Sequence, residues 1–404
     1  MPVPPREHPL ARGSLADRAS VFLGRAWERR WLPEPTLDPK IVWSLAARPF
    51  GQDAAEAEIG GRRPDDVDDF RERLERLTRA AQDEADLNPL GRAMAHGQLV
   101  RVIRNRLRLG LLWTREPDLL ATQLAPPIIV IGHMRSGTTR IHKLLAADPA
   151  HSHTRFCDAW HPVPGRPDLR LAKGALDLAM MRSLNPWLDV IHPMQSGGVE
   201  EELAWLAGAL NHSVYESQWH IPSFSDWSEA RNAAPVYREL ARMVRTDAAH
   251  RGIADRPRVM KAPQFSEDLA SLLEQFPDAR IVLARRDSEA VLRSAVSLVA
   301  NQMAVQSDSC DLARIEVHWR HKLALREERI ASALAEWDGP VTDLHFDALS
   351  SDWESEIARC YAELGLDLTG AALGAMRAEM ASSEDGRHRA HSQQLARFAQ
   401  DGVK

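Results

Sequence analysis

The chain has 404 residues, with 51 Lys+Arg against 57 Asp+Glu and a formal net charge of −6, a balance that does not suit a nucleic-acid binder. Hydrophobic residues make up 44% and charged residues 27%, ordinary globular usage that excludes a wholly disordered, collagenous or coiled-coil chain. Cys157, Cys310 and Cys360 are too few for a disulfide framework, and no apolar run reaches the ~18 residues of a membrane span, so a cytoplasmic protein is expected.

To about residue 60 the sequence is rich in Pro and Trp and carries no clean period. From Asp69 onward Phe70, Leu74 and Leu77 fall at i, i+4 and i+7, one apolar stripe on a solvated helix. A second helix is expected over Leu99 to Leu112, where Arg101, Arg104 and Arg108 read as a solvated or salt-paired face. Residues 1–120 are thus expected to form a mainly helical extension packed on a core domain of residues 121–404.

The texture changes at APPIIVIGHMRSGTTRIHKLLAADP. Ile128 to Ile131 is a short β-branched run between Pro127 and Gly132, as in a strand buried on both faces, and a helical pattern with Ile141, Leu144 and Leu145 on one side follows at once. Further short strands are expected around Val259-Met260, Arg280 to Ala284 and Val341 to Phe346, separated by helical segments. Such alternation predicts an α/β fold, a P-loop type central parallel sheet flanked by helices.

Gly132-His133-Met134-Arg135-Ser136-Gly137-Thr138-Thr139 has the glycine spacing of a nucleotide phosphate loop. Successive backbone N–H groups and the positive end of the following helix make an anion cradle there. The Walker pattern places lysine where this chain has Thr138, and the cation has moved to Arg135, which disfavours an ordinary ATPase or GTPase.

The Arg-Ser-Gly-Thr-Thr core in this setting resembles the sulfotransferases that use 3′-phosphoadenosine-5′-phosphosulfate, in the form of the tyrosylprotein and bacterial branch. The resemblance runs from about Pro126 to the C-terminus, through HPVP at His161, VMKAPQF at Val259, FPDARIVLARRDSEAVLRSAVSL at Phe276 and FDAL at Phe346. It implies that Arg135, Ser136, Gly137, Thr138 and Thr139 hold the 5′ end of the donor. By the same resemblance Arg286 and Ser294, eight positions apart, bind its 3′-phosphate, although Ser288 stands where the family usually has proline. The implied reaction passes a sulfuryl group to a hydroxyl or amine of a small-molecule or carbohydrate acceptor. Arg135 and Lys261 would meet charge on the leaving phosphate, with no metal required.

The base is less fixed. The histidine that the cytosolic branch carries two positions after its lysine is Pro263 here, and the glutamate of the tyrosylprotein-like branch, on the strand after the loop helix, corresponds to Asp158. Phe156 and Trp160 would raise the Asp158 pKa and Arg135 would lower it. Glu200, Glu201, Glu202, His161 and His192 stand in reserve. His151 and His153, or His318 and His321, lack partners at metal-ligand spacing. Trp160, Trp187, Trp205, Trp219 and Trp227 are expected around an apolar acceptor pocket, and Arg387, His388 and Arg389 resemble a family tail that closes over the donor. An atypical nucleotide kinase or NTPase, and a donor-binding homologue without turnover, are the alternative readings.

Overall fold

In the computed structural model, which describes residues 6–383, the Ile-Ile-Val-Ile run forms β1 (Ile128–Ile131), every residue of it fully buried. β2 (Ser152–His153), β3 (Arg258–Lys261), β4 (Arg280–Arg285) and β5 (Val341–His345) complete a parallel five-stranded sheet in the order β2-β3-β1-β4-β5. In the central register Ile129 lies opposite Met260 on one side and Ile281 on the other. The expected strands are all present, and β2, too short to leave a periodic signal, is added to them.

Because side chains alternate across a strand, the sheet feeds two cores. Ile129, Ile131, Met260 and Ile281 face Val236, Leu240 and Val244 of the helix Ala234–Arg251 and Leu109 and Trp113 of the helix Pro89–Arg115. Ile128, Val130, Val282 and Leu344 face the loop helix Thr138–Ala147 and the helices Trp353–Glu363 and Gly370–Ser383. Helices on both faces follow from parallel strands, whose crossovers must return along the sheet.

The sequence before the sheet is helical even where it is aperiodic: Ser14–Glu28, Pro39–Ala47 and Ala54–Ile59 precede Pro64–Asp83 and Pro89–Arg115. Phe70, Leu74 and Leu77 are buried as their spacing predicts, against Leu99, Ile103 and Leu107 and against Tyr215, Trp219 and Phe224 from beyond the loop helix. The Trp113 indole N–H donates to Thr246 Oγ1 at 2.8 Å, tying this helical part to the sheet layer. Among the described residues, no helix is long and apolar enough to cross a membrane.

From β1 the chain runs to β2 and β3 on one side, then crosses to β4 on the other. Loops after β1 and β4 therefore open a crevice at the carboxyl ends of the strands, where ligands bind in open α/β sheets.

Candidate functional site

The loop after β1 is built around two glycines. Gly132 has φ 137° and Gly137 has φ 94°, a region costly for any residue with a Cβ. A Cβ on Gly132 would stand 2.9 Å from Ala284 O, and one on Gly137 would stand 2.7 Å from the Phe346 ring. Ser266 Oγ accepts from Gly132 N at 2.9 Å and donates to Gly132 O at 3.1 Å, fastening the loop to the turn after β3. Ser136 is buried inside the loop, its Oγ donating to His133 O at 2.7 Å. The loop helix begins at Thr138, so its first-turn N–H groups and positive end face the crevice.

Arg135 occupies the left-handed region at φ 69°, which turns its side chain across to the element after β4. Its Nε donates to Ser294 Oγ at 2.8 Å, and Arg286 Nη1 donates to Arg135 O at 2.8 Å. The Arg286 guanidinium lies 4.0 Å from the centre of the Phe346 ring, a cation–π contact. The helix Ser288–Gln306 that carries Ser294 is capped by Asp287, whose Oδ1 accepts from Ala290 N at 2.8 Å, so the missing proline is replaced by a side-chain cap. Burial, and then Arg286 nearby, lower the pKa of Arg135, which is held in place without losing its charge.

Lys261 closes the opposite wall from the end of β3. Its ammonium donates to Thr139 Oγ1 at 3.2 Å and pairs with Glu201, while its backbone N–H donates to Glu202 Oε2 at 2.7 Å. The three glutamates have different surroundings. Glu201 lines the cavity beside Lys261. Glu200 also lines it, 3.5 Å from His192 Nε2. Burial opposes charge on either member of that pair, yet their mutual attraction wins, holding Glu200 below and His192 above their ordinary values. Glu202 points into the protein, accepts from Thr154 Oγ1 at 2.7 Å, and is pushed up to about 7 by burial.

Arg135, Gly137, Thr138, Thr139, Lys261, Arg286 and Ser294 all line one cavity of about 1720 Å³. That exceeds the ~300–1,000 Å³ typical of a pocket for one small molecule. The part away from the phosphate loop is apolar and rich in methionine: Met94, Met180, Met181, Leu184, Met194 and Val214.

Two expectations are corrected. Asp158 is not on the strand after the loop helix, which is β2, but in the short helix Phe156–Trp160. Its fully buried carboxylate accepts from Arg155 at 2.6 and 2.9 Å and meets Arg170 at 3.0 Å and Arg251 at 3.3 Å, and it is absent from the cavity wall. Three guanidiniums occupy the lone pairs a base would need. The tryptophans are the second correction: of the five expected around an acceptor pocket, Trp160 lines the cavity, while Trp187, Trp205 and Trp219 are buried and Trp227 lies outside its wall. Trp319, on the long helix Leu312–Ala335, lines it instead.

His161 bonds Asp177 at 3.1 Å. His318 and His321 meet Glu216 and Glu229 around a buried cluster that also holds His212. The Lys322 ammonium stands 3.0 Å from His212 Nε2 and 2.7 Å from Glu229 Oε1 inside that cluster, so it already carries a cation of its own. The Arg387 to Arg389 tail lies outside the described residues.

Residues 126–370 match the sulfotransferase family. Among curated proteins, the omega-hydroxy-beta-dihydromenaquinone-9 sulfotransferases Stf3 of Mycobacterium bovis and Mycobacterium tuberculosis are each 25% identical over 187 residues, 43% of this chain. The match spans 45% of the length of those relatives. Sulfotransferase STF1 from Mycobacterium tuberculosis aligns with a TM-score of 0.74 at 28% identity, over 84% of this chain and 92% of that one. Sulfotransferase STF9 from Mycobacterium avium shares the fold, with a TM-score of 0.74 at 21% identity over 86% and 88%. With more than half of its length matched by the family model and its fold shared with a solved sulfotransferase, the chain belongs to the sulfotransferase family.

Proposed function

We propose that the protein transfers a sulfuryl group from 3′-phosphoadenosine-5′-phosphosulfate to a hydroxyl of an apolar small molecule, leaving 3′-phosphoadenosine-5′-phosphate. The observation that carries this reading is the junction of two phosphate-binding turns over one cavity. Arg135 of the first turn bonds Ser294, on the helix that follows the second, at 2.8 Å, and Arg286 of the second turn bonds back to the Arg135 carbonyl. A nucleotide charged at both its 5′ tail and its ribose is the ligand that needs both turns. The first-turn N–H groups and the Thr138 and Thr139 hydroxyls receive the 5′ end, and Arg286 with Ser294 receives the 3′-phosphate.

In the reaction the acceptor oxygen forms a bond to sulfur while the bond from sulfur to the 5′-phosphate oxygen breaks, and the leaving phosphate keeps the electron pair. Arg135 and Lys261, which both line the cavity, meet that charge as pre-placed cations. The acceptor proton goes to Glu201, which faces the cavity beside Lys261. Asp158 takes no part.

The methionine-rich arm receives the rest of the acceptor. The Stf3 relatives are named for an omega-hydroxylated menaquinone acceptor; an apolar molecule ending in a hydroxyl is the class that fits this arm. The test is calorimetry with 3′-phosphoadenosine-5′-phosphate and with magnesium ATP, followed by transfer of labelled sulfate to medium-chain primary alcohols. Tighter binding of the bisphosphate and labelled alkyl sulfate are expected. Preference for magnesium ATP would overturn the reading.

A further inference from the structure

The helix Arg170–Leu184 forms part of the cavity wall through Met181 and Leu184, yet its other side is largely uncovered among the described residues, with Leu171 at its start lying against Gly197 and Ser196. Leu171, Ala172, Ala175, Leu176, Ala179 and Met180 are all exposed. Their spacing of i, i+1, i+4, i+5, i+8 and i+9 puts them on one face, and Leu176 is 72% and Met180 57% exposed. Met180 also lines the cavity, so the bare face continues over the rim into the apolar arm.

The helix Ser14–Glu28 lies against the end of that helix. A Cβ on Gly13, its N-cap, would stand 2.9 Å from Leu184 O, and Ala19 and Leu23 pack with Leu184. It exposes Phe22, and the turn after it exposes Trp31 (62%) and Leu32. Arg18, Arg25, Arg29 and Arg30 are interleaved with them, all exposed and none in an ion pair among the described residues. The acids nearby are spent on other arginines, Asp17 on Arg12 and Glu34 on Arg92, leaving Glu28.

We propose that these two helices dock the protein on an anionic bilayer surface with the cavity rim against the lipid. Exposed Phe, Trp and Leu beside exposed arginines outside ion pairs, Arg29 lying 5.0 Å from the centre of the Trp31 ring, are the composition of a segment that lies in the membrane interface, apolar groups at the acyl boundary and cations at the headgroups. A contiguous apolar face on an otherwise charged surface marks an interaction site. A bilayer fits better than a second copy of this chain, because an isologous contact built on this face would bring two sets of arginines together. That the membrane also delivers the acceptor, along Met180 and without passing through water, rests on the proposed reaction. The docking itself does not.

The experiment is co-sedimentation of the full chain with vesicles of phosphatidylcholine, with and without phosphatidylglycerol, at low and high salt and without nucleotide. Phe22→Ser, Trp31→Ser, Leu176→Ser and the double change Arg25→Glu with Arg29→Glu are compared with the parent. All alter exposed positions away from the cavity, so folding and turnover of a soluble short-chain alcohol stay intact. The parent is expected on the anionic vesicles, with salt weakening binding. Each apolar change should lower partitioning about tenfold or more, and the charge reversal should abolish the preference for phosphatidylglycerol.

Absence of vesicle binding, or variants that bind like the parent, would overturn docking and leave the sulfuryl-transfer reading standing. A concentration-dependent dimer broken by Leu176→Ser, without vesicle binding, would assign the face to a second copy instead. Vesicle binding with no turnover of any alcohol would keep docking and overturn the reaction.

Discussion

Replacing Arg286 by alanine separates recognition of the ribose phosphate from the shape of the phosphate loop. The guanidinium makes two kinds of contact, a 2.8 Å hydrogen bond to the Arg135 carbonyl and a position 4.0 Å over the Phe346 ring, and the proposed reading gives it a third, to the 3′-phosphate. A hydrogen bond to a charged group contributes about 1.5–3 kcal/mol, so losing the phosphate contact should weaken 3′-phosphoadenosine-5′-phosphate by about 10- to 150-fold. The contact with the loop carbonyl is made by the same charged donor and is worth up to a similar amount, but its loss falls equally on any nucleotide that uses the loop. Calorimetry on the parent and on Arg286→Ala, with the bisphosphate and with adenosine 5′-phosphate, therefore reads two numbers. The preference for the bisphosphate over the monophosphate should collapse by about 10- to 150-fold, beyond the equal loss that the loop contact imposes on both nucleotides. Arg286→Lys, which keeps the charge but loses the planar fork, should fall between them. Equal losses for both nucleotides would refute the reasoning and leave Arg286 as a prop for the loop.

Two further expectations concern the glutamates. Glu201→Gln keeps the size of the side chain beside Lys261 but removes its capacity to take a proton; kcat should fall by about 100- to 10,000-fold with bisphosphate affinity unchanged, and a kcat near the parental value would transfer the base role to His192 and Glu200. Glu202 binds its proton more tightly in the folded protein, about 7 against 4.5, so the folded state is favoured below pH 4.5 and loses about 3 kcal/mol as pH rises through 7. Urea denaturation across that window should show Glu202→Gln losing this part of the pH dependence, and a parallel shift of both proteins would contradict it.

What the sequence made legible was whatever local pattern decides. The Ile128 to Ile131 run and the glycines at 132 and 137 each specify a strand or a turn by themselves, and both are found there; the Arg286 and Ser294 pair was legible only through the resemblance. Long-range partners were not legible. Asp158 and Glu201 are both acidic residues near the end of a short segment; Arg155 nearby, Arg170 from the next helix and Arg251 from much further along the chain together enclose the first, and Lys261 at the end of β3 sets the second beside the phosphate loop. Trp319 was missed for the same reason. It sits in a long helix with ordinary amphipathic spacing, and nothing in that spacing says which side meets a cavity.

The run Val199-Glu200-Glu201-Glu202-Leu203 has a consequence for how the site survives drift. Its middle slot, beside Lys261, is flanked by carboxylates on both sides. Gain or loss of one residue just outside the run would still deliver a glutamate there, while one outer slot received valine or leucine. The proposed proton acceptor is thus insulated against a slip of one position in either direction, and such a lineage would betray itself by a changed response to acidity before it lost turnover.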